Sequence, residues 1–370
     1  MNAPFHLLPA LREIEVLFRP FLHRKMQLSS RIVMAPVERL LAPGGVPTSE
    51  MLWYYVRRAQ HGVGLILSEP VYVDEPAASP DSSAPLMAGG AALRAWKAIC
   101  RAVHASHCRM APMLSHAGML RPLQGDIPHP EMAPIGPSGL HPISLEQLTM
   151  PMDRTRMNMV CRSFAESAAK ARLLGFDAIA INAGRGALLD QFLRACTNLR
   201  SDEYGGDVLR RTRFVCDVLY AVRKAVGRNF PIVLRISLQG PAGAADTPLA
   251  RHAEELSQLL APFVEAGVDI FDCDSRHHAE PAFPGSGLTF AGWVRLLSGR
   301  PVIAEGQAGL FAETPHAEME RILRTFRARG TDLLAVGRAL LADAEWCKKI
   351  HHGQEERIIP FTPRSMGHLF

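Results

Sequence analysis

Eight short apolar segments recur along this 370-residue chain, and each is followed by a longer stretch with helical patterning. Continuous apolar runs of this length are typical of parallel strands that are buried on both faces. Eight strands that alternate with helices predict a single (β/α)8 TIM barrel, an α/β fold, over residues 1–370. The predicted strands are Arg31–Pro36, Gly64–Pro70, Met110–Leu114, Ala178–Asn182, Pro231–Ser237, Ile270–Asp274, Pro301–Glu305 and Leu333–Val336.

An open, doubly wound α/β sheet is the alternative to the barrel. It is not favoured, because the G-x-G-x-x-G pattern of a dinucleotide-binding fold does not follow the first predicted strand. Residues 121–151 are rich in proline and glycine and too long for a simple connector. We therefore predict an insertion over the barrel mouth after the third strand. Residues 347–370 are expected to form a C-terminal tail.

Composition narrows the classes of function. The content of 48% hydrophobic and 21% charged residues is typical of a globular protein. The formal net charge is +5, but the basic residues are scattered, which does not favour a nucleic-acid partner. The apolar runs are too short for a membrane span, and we find no signal-peptide pattern at the N-terminus. Seven cysteines without a C-x-x-C pair predict reduced thiols and a cytoplasmic location.

Histidine and cysteine positions carry a weaker signal. Adjacent histidines cannot share one face of a regular element, so we expect no metal site. His277 and His278 follow the sixth predicted strand at the active end of the barrel and are candidates for substrate contact. For His116 a packed structural role is favoured over a catalytic one. For Cys196 a buried small residue is favoured over a reactive thiol.

A polar, glycine-rich loop follows the fourth predicted strand. TIM barrels place their catalytic groups in such loops, at the C-terminal ends of the strands. Asn182 and Arg185 lie three residues apart in this loop and can face one pocket. A neutral amide and a fixed cation would suit an anionic oxygen. In the alternative interpretation, Asn182 caps the loop and Arg185 pairs with a carboxylate such as Glu38 or Asp274.

An anion site is predicted at the seventh and eighth strands. Gly306 follows the seventh strand, and Gly337 and Arg338 close the eighth strand where a helix begins. Backbone N–H groups near a helix start and one guanidinium can bind a phosphate, and these strands are where barrels commonly do so. The alternative for Arg338 is a surface arginine that caps a helix.

Six motifs occur in a fixed order between about Leu17 and Trp346. They are L-F-R-P-F with R-I-V-M-A-P, G-V-G-L-I-L-S-E, S-H-A-G-M, the block from L-L-D-Q-F to R-R-T-R-F, F-P-I-V-L-R-I-S, and L-A-V-G-R-A-L-L-A-D. In this order they resemble the old yellow enzyme family of FMN-dependent oxidoreductases. The resemblance implies FMN as cofactor and NADH or NADPH as reductant. It also implies that Arg235 faces the N1/O2 side of the flavin, where a cation stabilises the reduced form.

This chain departs from the family around the flavin ring. The resemblance implies cofactor contacts at Ala35, Pro36, Val37, Pro70, Met113, Arg235, Gly306, Gly337 and Arg338. Pro70 has no N–H to donate, and Met113 stands where the family usually has glutamine. Glu38 replaces a threonine or cysteine, Asn182 and Arg185 replace the substrate-binding histidine and its partner, and Ala187 replaces a tyrosine.

Three functions remain open. The first is an FMN-dependent oxidoreductase that transfers hydride to an activated C=C bond of a small, anionic substrate, or in reverse. Asn182 and Arg185 would bind the substrate, and water or Glu38 with a raised pKa would supply the proton. The second is a non-redox isomerase or cyclase, and the third is a flavin-free binding protein. We expect a small-molecule substrate and no nucleic-acid or membrane partner, with a homo-oligomer left open.

Overall fold

Eight parallel strands form a closed barrel in the computed structural model, which describes residues 7–244, 247–310 and 315–367. The last strand of the barrel pairs with the first, with Leu334 opposite Ile32. The predicted barrel is confirmed, and each predicted strand lies within two residues of an observed one. The strands are β1 (Phe21–His23), β2 (Met26–Leu28), β3 (Ile32–Met34), β4 (Leu65–Tyr72), β5 (Arg109–Ser115), β6 (Ile179–Ala183), β7 (Ile232–Ser237), β8 (Ile270–Asp274), β9 (Val302–Glu305) and β10 (Leu333–Val336).

Helices pack around the outside of the barrel. The polar residues Thr48, Asp153 and Asp207 start three of them by accepting a hydrogen bond from a backbone N–H in the first turn. Gly175 ends the helix that Asp153 starts, in the left-handed conformation, with φ of 99°. The helices are α1 (Leu7–Phe18), α2 (Ser49–Ala59), α3 (Gly90–His104), α4 (Arg154–Leu174), α5 (Leu188–Leu193), α6 (Val208–Val226), α7 (Ala253–Glu265), α8 (Phe290–Ser298), α9 (Pro315–Arg327), α10 (Arg338–Ala342) and α11 (Trp346–His351). None of them is long and apolar enough to cross a membrane.

Buried apolar side chains form two layers, one inside the barrel and one between the strands and the helices. Alternate residues of each strand face the barrel axis, as Val233, Ile270 and Ile303 do. The antiparallel pair β1 and β2 closes the N-terminal end of the barrel, because Phe21 and Met26 join the inner layer. The interior is therefore packed at this end, and cavities can open only at the other.

Three aspartates stabilise the N-terminal end. Asp177, Asp269 and Asp332 lie one or two residues before β6, β8 and β10. Each accepts a hydrogen bond from a backbone N–H at the start of the preceding barrel strand, at 2.9, 2.8 and 3.1 Å respectively. Each also pairs with an arginine. Polar contacts at this end of a TIM barrel usually serve stability rather than catalysis.

The proline- and glycine-rich segment 121–151 follows β5 and a short turn. It packs on the loop that follows β6, where Ser138 accepts a hydrogen bond from the N–H of Leu199 and Pro137 accepts one from Arg200. It lies at the C-terminal end of the barrel, where the sequence predicted an insertion. The tail beyond residue 346 contains α11 and two short turns, and residues 368–370 lie outside the described residues.

Candidate active site

Two adjoining cavities open at the C-terminal mouth of the barrel. The larger has a volume of about 480 Å³ and the smaller about 200 Å³. Arg185 and Glu305 line both, so they form a shared wall. The larger cavity is lined by predicted site residues Pro36, Glu38, Pro70, Met113, Asn182, Arg185 and Arg235. The smaller one is lined by Ala35, Val37, Arg185, Gly306, Gly337 and Arg338. Their joint size is that of an ordinary ligand site.

Strand alternation explains which side chains reach these cavities. The last apolar residues of the barrel interior include Met113, Ala180, Val233, Ile270 and Ile303. The next inward position in each strand, two residues later, is polar. These positions are Ser115, Asn182, Arg235, Asp272 and Glu305. The mouth of the barrel is therefore a polar ring above an apolar floor.

His277 and His278 are not among the lining residues of the two mouth cavities, and their contact with substrate stays a prediction. They line a separate pocket of about 240 Å³ with Gln307 and Glu318. His278 is buried behind the Gly306 loop, because its Nδ1 and its backbone N both contact the Gly306 carbonyl oxygen, at 2.9 and 3.0 Å. The chain after β8 turns behind this loop, so His278 supports the loop from behind.

The smaller cavity has the properties of an anion site. Gln307 has a left-handed backbone with φ of 53°, next to Gly306 with φ of 147°. A side chain at Gly337 would crowd the lining of this cavity, because its Cβ would lie 3.3 Å from both Ala35 and Val37. Arg338 lies 5.6 Å from the ring centre of Phe361 and forms no ion pair within the described ranges. An uncompensated guanidinium beside open backbone fits the phosphate of a nucleotide cofactor.

Arg185 is fixed in the shared wall by a strained loop. Its φ is 53°, and a side chain at Gly184 would collide with Ser237, since its Cβ would lie 2.3 Å from Oγ. Ser237 accepts a hydrogen bond from the Arg185 backbone at 3.2 Å and donates one to Asp274 at 2.6 Å. Asp274 in turn accepts two hydrogen bonds from Arg185, through Nε and through Nη2 at 2.6 Å. The interpretation in which Arg185 pairs with Asp274 is therefore the one that the structure shows.

Asn182 is also engaged with its own loop. Its Oδ1 accepts a hydrogen bond from the Gly184 N–H at 3.2 Å, and its Nδ2 donates to Ser115 at 3.1 Å. The side chain is buried but lines the larger cavity. One N–H of the amide remains for a ligand, because each amide nitrogen carries two donors.

Arg235 lies within a group of carboxylates. Its Nη atoms bind Glu305 at 2.5 and 2.9 Å and Asp272 at 2.8 Å, and Asp274 lies 3.5 Å away. Burial opposes the charge of Arg235, but Glu305, Asp272 and Asp274 raise its pKa well above the usual value. Burial raises the pKa of Asp272 to about 7, although Arg235 opposes this shift. Asp272 and Glu305 were not predicted as site residues, although the inward positions of their strands are a signal that could have indicated them.

Glu38 and Tyr72 form a second polar pair in the larger cavity. The Tyr72 hydroxyl lies 3.5 Å from Glu38 Oε1, and burial raises the pKa of Glu38. Burial, together with Glu38 and Glu69, raises the pKa of Tyr72 well above its usual value. Tyr72 was not predicted as a site residue, although it lies two residues after Pro70 and therefore on the same face of β4. Glu38 itself is exposed at the rim of the cavity. A carboxyl group with a raised pKa in such a place can act as a general acid.

His116 and Cys196 are not among the residues that line the two mouth cavities. His116 is fully buried, donates from Nε2 to Glu75 at 3.0 Å and accepts from the Gly118 N–H at 3.0 Å. This is the environment of a packed structural histidine. The half-buried Cys196 contacts Thr247 at 3.4 Å. All seven cysteines are free thiols.

The fold and these two cavities define a TIM-barrel protein with a candidate ligand site at the C-terminal mouth of the barrel. The model of the NADH:flavin oxidoreductase / NADH oxidase family matches residues 16–357, and the chain therefore belongs to that family. This confirms the resemblance drawn from the sequence motifs. It also confirms FMN with a nicotinamide reductant as the cofactors that family membership implies.

Individual proteins similar to this chain agree with the assignment. An NADH oxidase of Thermoanaerobacter brockii is 30% identical over 343 residues, which are 90% of this chain and 50% of that protein. An NADPH dehydrogenase of Listeria monocytogenes serotype 4a (strain HCC23) is 30% identical over 334 residues, 90% of this chain and 93% of that protein. The chain thus spans about half the length of the first relative and nearly all of the second.

A solved structure of morphinone reductase in complex with tetrahydroNAD is similar in fold. The TM-score is 0.79 at 23% sequence identity, over 95% of this chain and 93% of that one. At this identity the likeness supports the barrel and its topology.

Proposed function

We propose that this chain is an FMN-dependent oxidoreductase that reduces an activated C=C bond of a small molecule in the larger cavity, or oxidises in reverse. The observation that most supports this is the shared wall of Arg185 and Glu305 between an anion-binding cavity and a cavity with titratable groups. A cofactor with a phosphate at one end and a reactive ring at the other could span both.

Residues of the smaller and of the larger cavity would bind different parts of the cofactor. Arg338 and the backbone at Gly306 and Gly337 would bind the phosphate. When bound, FMN would supply hydride chemistry, with NADH or NADPH as the source of electrons. The ring system would border Ala35, Pro36, Val37, Pro70, Met113 and Arg235.

The charges of the larger cavity change the predicted substrate class. The expected preference for an anionic substrate depended on an unpaired Arg185, but Asp274 neutralises this side chain. Glu38 and Glu305 add carboxylates to the same lining. We therefore propose a neutral alkene activated by a carbonyl group. Arg185 Nη1 has no partner among the described residues, and with Asn182 it can donate to the carbonyl oxygen.

Glu38 is the proposed proton donor. Its pKa is raised by burial, so more of it is protonated at neutral pH than of an exposed glutamate. Tyr72 holds one carboxyl oxygen and leaves the other side of the group open to the cavity. Arg185 cannot serve this role because it stays charged at neutral pH.

The test combines a spectrum with turnover. Purified protein should contain or take up FMN, seen as flavin absorbance, and should oxidise NADH or NADPH faster when a cyclic enone is added. Flavin binding without any enone-dependent oxidation would contradict the proposed reaction. A chain that takes up no FMN would favour the non-redox isomerase, cyclase or binding function instead. A cytoplasmic location and a homo-oligomer remain proposals that fractionation and sedimentation can test.

A further inference from the structure

Five charged side chains form one connected group where the two mouth cavities meet. Asp272, Asp274 and Glu305 contact Arg235, and Asp274 also binds Arg185. Three carboxylates and two guanidiniums give the group, here called the carboxylate cluster, a formal charge of −1. A proton on Asp272 would bring the charge to zero. In neither state does the cluster offer a net positive charge.

Glu305 is the carboxylate of this cluster that faces the ligand space. It lines both cavities, whereas Asp272 and Asp274 lie fully buried in the strand layer. Its two carboxylate oxygens bind the two Nη atoms of Arg235, at 2.5 and 2.9 Å. The side of Arg235 that approaches the cavity is therefore already paired with an anion. A fixed, paired guanidinium in a partly buried site has little charge left to attract a second anion.

The charge of the cluster matters for a cofactor that changes its own charge. Transfer of hydride from a reduced nicotinamide adds two electrons and one proton to the flavin, so the flavin gains one negative charge and the nicotinamide one positive charge. Protein charges near the ring tune this equilibrium. Resting on the proposed function, we propose that Glu305, with Asp272 and Asp274, neutralises Arg235 and Arg185 and so disfavours the reduced, anionic form of bound FMN. Glu305 thereby lowers the reduction potential of the enzyme.

Glu305→Gln tests the proposal, because glutamine keeps the shape and removes one negative charge. The midpoint potential of bound FMN should rise, with the equilibrium shifting about tenfold toward the reduced form, or about 30 mV for a two-electron couple. The potential is measured anaerobically against a redox dye, and affinity for oxidised FMN is measured separately by fluorescence. Glu280→Gln is the matched control, because it removes an exposed carboxylate near the same end of the barrel, outside the cluster.

The possible outcomes distinguish a failure of the carboxylate-cluster proposal from a failure of the proposed function. A higher potential in Glu305→Gln, with Glu280→Gln unchanged, supports the cluster. An unchanged potential in a Glu305→Gln protein that binds FMN normally overturns it, as does an equal rise in both variants. If Glu305→Gln fails to retain FMN, Asp274→Asn removes one negative charge of the cluster from within the strand layer, because the neighbouring guanidiniums of Arg235 and Arg185 outweigh the effect of burial and lower the pKa of Asp274, and the same outcomes apply. Failure of the unaltered chain to bind FMN would overturn the proposed function and this inference together.

Discussion

The guanidinium of Arg185 is held by both carboxylate oxygens of Asp274 at the mouth of the barrel. Ser237 links the pair to the loop, since it binds Asp274 and the backbone of Arg185. A residue that the sequence presents as a free cation is thus half of an ion pair. Its remaining donor can polarise a carbonyl group, but its charge is largely compensated.

Asp274→Asn should convert this site into a better anion receptor. The change leaves Arg185 in place but unpaired, so a ligand with a carboxylate should bind roughly tenfold more tightly, about 1.4 kcal/mol. Its neutral methyl ester should bind as before. The dissociation constants are measured from the perturbation of flavin absorbance. Asp74→Asn, which removes an exposed aspartate paired with Lys170, is the control. If the unaltered chain already prefers the acid to the ester, Asp274 does not neutralise Arg185.

Arg338→Ala should weaken FMN binding. Arg338 lines the smaller cavity at the start of α10 and, like Arg276 of the same lining, has no ion-pair partner in the described part of the chain. Loss of charge-assisted hydrogen bonds to a phosphate costs about 1.5–3 kcal/mol. Titration of apoprotein with FMN, followed by fluorescence quenching, measures the loss. The exposed helical residue Arg101 offers the control variant Arg101→Ala. Equal FMN affinity in Arg338→Ala and the unaltered chain would contradict the proposal that Arg338 binds the phosphate of FMN.

The barrel could be predicted from the sequence because its strands are buried on both faces. Ile232–Ser237 and Ile270–Asp274 are short, mostly apolar runs. This pattern can be recognised even when the predicted ends of a strand are wrong by one or two residues. The short pair β1 and β2 was not predicted, since three-residue strands carry too little periodicity. The helix α5, six residues long, was missed within the polar loop for the same reason.

The polar partners in the site were harder to predict than the residues themselves. Arg235 and Asn182 were identified from their place at strand ends. Which carboxylate meets Arg235 depends on the register between neighbouring strands, which places Asp272 directly opposite it. The approach of Glu305 to Arg235 depends on the register of β9 against β8, which a single strand's sequence does not contain. The contact of His278 with the Gly306 carbonyl oxygen depends on one turn after β8, a local detail that periodicity does not describe.

Glu38→Gln should slow substrate reduction and leave reduction of the enzyme by NADPH unaffected. Glutamine can still accept a hydrogen bond from Tyr72 but has no acidic proton to donate. General acid catalysis typically contributes about 10²- to 10⁴-fold, so the rate of enone reduction should fall by a factor in this range. Because burial raises the pKa of Glu38, the rate in the unaltered chain should decline as pH rises through that raised value.

Stopped-flow measurement of the two half-reactions, reduction of the enzyme by NADPH and reduction of the enone by the enzyme, tests the role of Glu38. Tyr72→Phe is the companion variant, since it keeps Glu38 and removes the hydroxyl at 3.5 Å. It should shift the pH profile and preserve most of the rate. A Glu38→Gln enzyme with the full rate of enone reduction and an unchanged pH profile would indicate that water, and not Glu38, supplies the proton.

His104 and Asp177, at the N-terminal end of the barrel, give the last prediction, which concerns stability. Nε2 of His104 lies 2.7 Å from Asp177, and hydrogen bonds to Asp177 and Cys100 raise the pKa of His104 to about 10. A pKa raised on folding stabilises the protein fully below the unfolded value of about 6.5 and loses this effect as pH rises through the folded value. His104→Gln should therefore lower the free energy of unfolding by about 1–2 kcal/mol at pH 6 and by clearly less at pH 9.5.

Urea denaturation at both pH values measures the difference, and His352→Gln, at an exposed position, is the control. An equal loss at both pH values would mean that His104 contributes through packing and not through its charge.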